Sequence, residues 1–277
     1  MKANQVNTIF LTFGAGGKGW KDASSRISRE ANKLMLFDSI FNLDELWLKE
    51  SDPEIFDLVC KFIGKGINKG FGYYLWKTSI LNWAETNFPE KAFLYMDAGS
   101  HIQSGITQVT LKKLLSENND LGLAWQLPNH PELKWTKNEL IQRIGCDETI
   151  LVSNQIQSGF IYLPKIHDRS NFIRQFRELA IEKGGFYFSD ELLNTQSPQF
   201  IAHRHDQSVF SLLWKNYGFG HQIDKTFPEN LGKFPIIAAR NNTKILASSH
   251  PWKLKIIKVI DFRIDKVKRI FTNLRSK

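Results

Sequence analysis

Short apolar runs alternate along the chain with longer segments in which apolar side chains return every three or four positions. The runs Thr8–Phe13, Ala92–Met96, 121–125 and 159–163 read as buried strands. Helical spacing appears over 23–37, 52–62, 78–87, 107–117, 136–144, 169–182 and 206–217. Proline and glycine punctuate the rest, and 186–201 is irregular and polar, as a loop over a site would be. No internal repeat or low-complexity segment is present. The alternation predicts an α/β fold: one domain over 1–251 with a mainly parallel central sheet flanked by helices. Beyond it, Ile256, Ile260, Ile264, Val267, Phe271 and Leu274 recur at helical steps, which predicts a C-terminal amphipathic helix over 252–277.

Charge changes the picture of that tail. The 277 residues carry 37 Lys plus Arg against 28 Asp plus Glu, a net charge of +9. Segment 252–277 holds nine basic side chains against Asp261 and Asp265, so most of the excess belongs to it. A basic amphipathic helix suits an anionic membrane surface or a docking partner. A terminal helix packed on its own domain is the plainer alternative. No aromatic stacking platform accompanies the charge, so nucleic acid is not an expected partner. At 42% hydrophobic and 23% charged, the composition excludes disorder and collagen-like repeats. Cys60 and Cys146 fit no metal spacing and no disulfide framework, which favours a reducing compartment. No run reaches the ~18 to 20 apolar residues of a membrane span. The N-terminal IFLTF is too brief for a signal peptide. The expected location is the cytoplasm, with the tail able to hold the protein at the inner face of the cell membrane.

Several local patterns carry candidate chemistry. Gly14, Gly16 and Gly19 follow the first strand as G-x-G-x-x-G, with Asp38 roughly 20 residues on, the fingerprint of a dinucleotide site. Trp20, Lys21 and Asp22 are a bulky start for the helix that fingerprint requires. The strand ending Tyr95-Met96-Asp97-Ala98-Gly99 places a carboxylate where open α/β sheets bind ligands. Such a carboxylate can hold a divalent cation, or simply cap a turn. Gly70-Phe71-Gly72-Tyr73-Tyr74-Leu75-Trp76-Lys77 ends in an amine that either is solvated or meets phosphate. Ser158 and Gly159 open a strand with small residues that let a ligand approach the backbone. His203, Arg204, His205, Asp206 and Gln207 crowd one helix start, a grouping that packing alone does not explain. Trp125 and Trp135 are candidates for stacking on sugars, and equally for the core.

In their order and spacing these pieces resemble the GT-A nucleotide-diphospho-sugar glycosyltransferases. The likeness is to a bacterial group tied to capsule and lipopolysaccharide synthesis, with a G-Y-x-x-W-K block and a Y-x-D-A-G strand end, and it spans roughly residues 8 to 253. It implies a nucleotide-sugar pocket built from Thr12, Phe13, Gly14, Arg26, Lys77, Tyr95, Asp97, Ala98, Gly99, Ser158 and Gly159. Arg26 would face the diphosphate. Asp97 matches the first carboxylate of a D-x-D metal motif whose second position is Gly99, and His250 would complete a Mn2+ or Mg2+ site. Asp206 would be the catalytic residue on the acceptor side, as general base or as the group that orients the acceptor, with His203, Arg204, His205 and Gln207 around it. The implied reaction moves a sugar from a nucleotide diphosphate to a glycan or lipid-linked acceptor in surface polysaccharide synthesis. Two other readings stay open: a NAD(P)-dependent oxidoreductase using the glycine loop, and a non-catalytic membrane-surface scaffold.

Overall fold

Ala92–Met96 is apolar at every position because both of its faces are covered. In the computed structural model, which describes residues 7–103, 107–230 and 233–238, this strand is β3 of a six-stranded sheet. The order is β2-β1-β3-β6-β5-β7, with β1 Thr8–Phe13, β2 Ser39–Leu43, β5 Leu123–Pro131, β6 Asn154–Leu163 and β7 His221–Ile223. β1 pairs in parallel with β2 and β3, and β7 in parallel with β5; β6 runs antiparallel to both β3 and β5. Every strand except β6 therefore points the same way, and helices cover both faces. β4 (Ser100–Ile102) pairs with β8 (Ile236–Ala238) in a separate small ladder.

Period-2 alternation divides the core. Ile9, Leu11, Phe93 and Tyr95 face the helices Trp76–Asn87, Arg169–Ile181 and Asp206–Asn216. Phe10, Leu94 and Met96 face the helices Lys18–Lys33 and Thr107–Glu117. Phe172 meets the rings of Phe210 and Trp214 at 5.9 and 5.7 Å, which seats the helix that begins at Asp206. Trp125 is wholly buried against Phe160 and Phe234, so it belongs to the core and offers no face to a sugar.

Local structure departs from the sequence reading at identifiable places. The helix expected from residue 23 starts at Lys18, inside the glycines, and ends at Lys33 because Met35 turns the chain with φ +49°. Gly14 is bare because a Cβ there would overlap Ser24 Oγ on that helix. The half-exposed β2 gave no apolar run to read. The boundary at 251, the helix over 252–277 and His250 lie outside the described residues.

Candidate active site

Topology gathers one edge. β1 and β3 end there, and antiparallel β6 begins there, so Gln157, Ser158 and Gly159 lie beside Asp97, whose N–H donates to Gly159 O at 2.9 Å. A cleft of about 670 Å³ opens over this edge, as expected at the carboxyl ends of strands in an open α/β sheet. Phe13, Phe71, Tyr74 and Trp76 supply one wall, with Phe13 stacked on Trp76 at 4.2 Å.

At the centre sits Lys77, 1% exposed. Its Nζ donates to Asp206 Oδ2 at 2.6 Å, to Ser158 O at 2.9 Å and to Ser158 Oγ at 3.2 Å, and lies 3.3 Å from Asp97 Oδ1. Ser158 Oγ also donates to Asp206 Oδ2 at 2.6 Å, and Tyr95 OH to Asp97 Oδ1 at 2.6 Å. Burial alone would push the Lys77 ammonium down, but Asp206 and then Asp97 reverse this and hold it above the usual lysine range. Burial and the Asp97 carboxylate push the Tyr95 phenol well up, so it remains a donor. Asp206 is buried, whereas the Asp97 side chain is 42% exposed to the cleft. Two carboxylates thus share one ammonium, leaving the centre one negative charge in excess.

Strained backbone frames this centre. Gly70, Phe71, Gly72, Tyr73 and Tyr74 all have φ between +50 and +77°, a single left-handed turn. Such a turn costs about 1–2 kcal/mol at each non-glycine residue. A Cβ at Gly70 would overlap the Tyr74 ring, and one at Gly72 would stand 2.9 Å from Val59 Cα, so both positions require glycine. The turn aims Phe71 and Tyr74 into the cleft and stacks Tyr73 on His205 at 4.7 Å. His205 itself has φ +53° and ψ −125° at the start of the Asp206 helix. Strain of this kind persists where surrounding contacts over-determine it.

Those contacts come from the segment 186–191. Lys137 Nζ donates to Phe186 O, Ser189 O and Glu191 O, His203 Nε2 to Tyr187 O, and His205 Nδ1 to Phe188 O. Five carbonyls of one segment are held by three basic side chains. Burial, then Lys137 and His205, hold His203 well below the usual histidine range, and burial lowers His205 as well, so both are neutral at pH 7. Burial brings Lys137 from 10.5 down to about 8, against the opposing pull of Glu139, Glu191 and Asp190. Between pH 8 and 10.5 the unfolded chain therefore keeps a proton that the folded chain has released, so this lysine adds stability as pH rises through that window. The gain is up to about 3 kcal/mol. Urea unfolding at pH 7.5 and 9.5 should show a steeper rise in wild type than in Lys137→Met; equal slopes would refute the assignment.

Phe13, Lys77, Asp97, Ala98, Gly99, Ser158, Gly159, His203, Arg204, His205, Asp206 and Gln207 all border the cleft. Four expected residues, Thr12, Gly14, Arg26 and Tyr95, do not. Thr12 is buried below it, its hydroxyl donating to Met96 O at 2.8 Å, and Gly14 N–H donates to Leu43 O. Arg26 reaches from behind: its guanidinium donates to Ala98 O and Ser100 O at 2.9 Å, contacts His101 Nδ1 and pairs with Glu30. It braces the turn on either side of Gly99 and is not positioned to face a diphosphate in the cleft. Tyr95 supports Asp97 from beneath.

Comparison with known proteins adds little. No protein-family model matches the chain, and no curated protein matches it. Among solved structures, a glycosyltransferase involved in the glycosylation of the major capsid of PBCV-1 is 12% identical, covering 85% of this chain and 94% of its own, with a TM-score of 0.46. Mouse xyloside xylosyltransferase 1, apo form, is 10% identical over 87% and 99%, with a TM-score of 0.41. Likenesses this loose assign no activity.

The dinucleotide reading loses its acid. Asp38 precedes β2, its N–H donating to Thr8 O and its carboxylate pairing with Lys91 at 2.7 Å, so it stands at the amino edge of the sheet, away from the glycines. Asp44, at the other end of β2, caps the next helix through Leu46 and Trp47 N–H. For a metal, no group of three His, Cys, Asp or Glu side chains comes together among the described residues. Asp97 remains a half-exposed carboxylate over the cleft, the donor type that suits an ion taking its other ligands from phosphate and water. Gln157 and Trp135 also border the cleft. Gln157 went unread, although it shares a strand face with Gly159 two residues on.

Proposed function

We propose that the chain is a glycosyltransferase moving a sugar from a nucleotide-diphosphate donor to a glycan or lipid-linked acceptor. The observation that carries this reading is Asp97: a half-exposed carboxylate at the end of a central strand, fixed by Tyr95 and Lys77, between an aromatic wall and the buried Asp206. The aromatic wall suits a nucleoside base. A divalent cation at Asp97, with His250 as a further ligand, would neutralise charge on the departing diphosphate. In the transfer, the acceptor oxygen bonds to the anomeric carbon while the carbon–oxygen bond to the diphosphate breaks and its electron pair leaves with phosphate. Asp206 Oδ2 is occupied by Lys77 and Ser158, which leaves Oδ1 to orient the acceptor hydroxyl or take its proton. A role in surface polysaccharide synthesis, a cytoplasmic location and attachment to an anionic membrane through 252–277 extend this proposal.

Thermal shift with UDP, GDP, CMP and NAD, each with and without manganese, tests it. One nucleotide should raise stability by about 2.7 kcal/mol at 100 Kd, and more with manganese than without. A shift with NAD alone overturns the reading.

A further inference from the structure

Residue 99 is glycine, so the carboxylate that would stand second to Asp97 is missing. A different oxygen stands close by. Gln157 and Gly159 lie two apart on β6 and share a face. The point where a Cβ on Gly159 would sit is 2.8 Å from Asp97 Oδ2 and 3.5 Å from Gln157 Oε1, so the two oxygens converge on a cradle that the missing side chain leaves open. Which atom of the Gln157 amide faces that cradle is fixed from behind. Its Nε2 donates to Asp224 Oδ2 at 3.1 Å and to Thr226 Oγ1 at 3.4 Å. Thr226 in turn donates its N–H and hydroxyl to Asp224 Oδ1 at 2.8 and 2.7 Å. An ionised carboxylate accepts only, so the amide nitrogen must turn to Asp224 and the carbonyl oxygen to the cleft.

We propose that Gln157 Oε1 is the second protein ligand of a divalent cation whose first ligand is Asp97 Oδ2, with Asp224 as the group that orients it. The donor set, one carboxylate and one carboxamide oxygen, suits a hard ion such as Mg2+ or Mn2+ that keeps several waters or phosphate oxygens. Local charge agrees, since Asp97 and Asp206 share the single ammonium of Lys77. Lys77 approaches Oδ1 of Asp97 and leaves Oδ2 to the ion. The ion's purpose rests on the transferase reading; its ligands do not.

The test is titration of the full chain with manganese(II) chloride, reading free ion by electron paramagnetic resonance, with and without UDP or GDP. Wild type should bind one ion at this site and Asp97→Asn should lose it. Gln157→Met, which keeps the side-chain length without the oxygen, should bind about tenfold more weakly, and Asp224→Asn about tenfold more weakly because the amide is then free to turn. Gly159→Ala, which fills the cradle from the backbone side, should abolish binding and decides the matter if the methionine variant does not fold. Unchanged affinity in Gln157→Met or in Gly159→Ala, with binding lost in Asp97→Asn, overturns the role of Gln157. Manganese binding that needs Gln157, with no nucleoside diphosphate bound at all, keeps the metal site and sinks the transferase reading.

Discussion

Asp97→Ala should lower sugar transfer by roughly a thousandfold while the protein stays folded. The size follows from removing the group proposed to meet charge on the leaving diphosphate, where loss of a single stabilising contact costs about 10² to 10³ in rate. Asp97 is half-exposed and its partners are the Tyr95 hydroxyl and the edge of Lys77, so truncation leaves no unpaired charge in the core. The variant should therefore unfold near the wild-type midpoint by circular dichroism. Turnover should be followed with the nucleotide sugar whose nucleotide gives the thermal shift, and near-normal turnover sinks the assignment of Asp97.

Lys77→Met acts on the fold. It strips the ammonium from Asp206, which is buried and would keep only the Ser158 hydroxyl. Removing one partner of a buried pair typically costs about 3–5 kcal/mol, because the remaining charge has lost both water and its counter-ion. Urea unfolding should show a loss of that order. Adding Asp206→Leu to the same chain removes the stranded charge and should recover much of it, since a buried pair replaced by apolar side chains is often neutral in stability. The double variant should be stable and inactive. If it is no more stable than Lys77→Met, the ion pair is not the source of the loss.

Much of the frame was legible because it rests on local signals. The apolar run into Asp97-Ala98-Gly99 marked β3 and the edge over which the cleft opens, and the periodic helices against short runs marked the α/β sheet. The partners of those residues were not legible. Lys77 finds Asp206 129 positions away, and nothing around either residue announces the other. Its amine, which the sequence left between solvent and phosphate, is instead paired with two carboxylates. Arg26 meets Ala98 O and Ser100 O, 72 and 74 positions away, behind the Gly99 turn, and no local signal carries that pairing. The left-handed turn was half written in Gly70-x-Gly72; that Phe71, Tyr73 and Tyr74 would follow the same conformation is fixed by tertiary packing. Gln157 was invisible for a different reason. Its chemistry depends on Asp224 holding the amide one way round.

The separation between Lys77 and Asp206 also sets a schedule. A ribosome adding about 5–20 residues per second needs roughly 6 to 26 s to pass from one to the other. Late in that interval the nascent chain carries the glycine loop, Asp97 and β6, yet its central lysine still has no Asp206 and the far wall of the cleft does not exist. The cleft is closed by one of the last segments of the sheet domain to emerge, so a chain whose synthesis stops before residue 206 is left with Lys77 and Asp97 on one side and no Asp206 to face them.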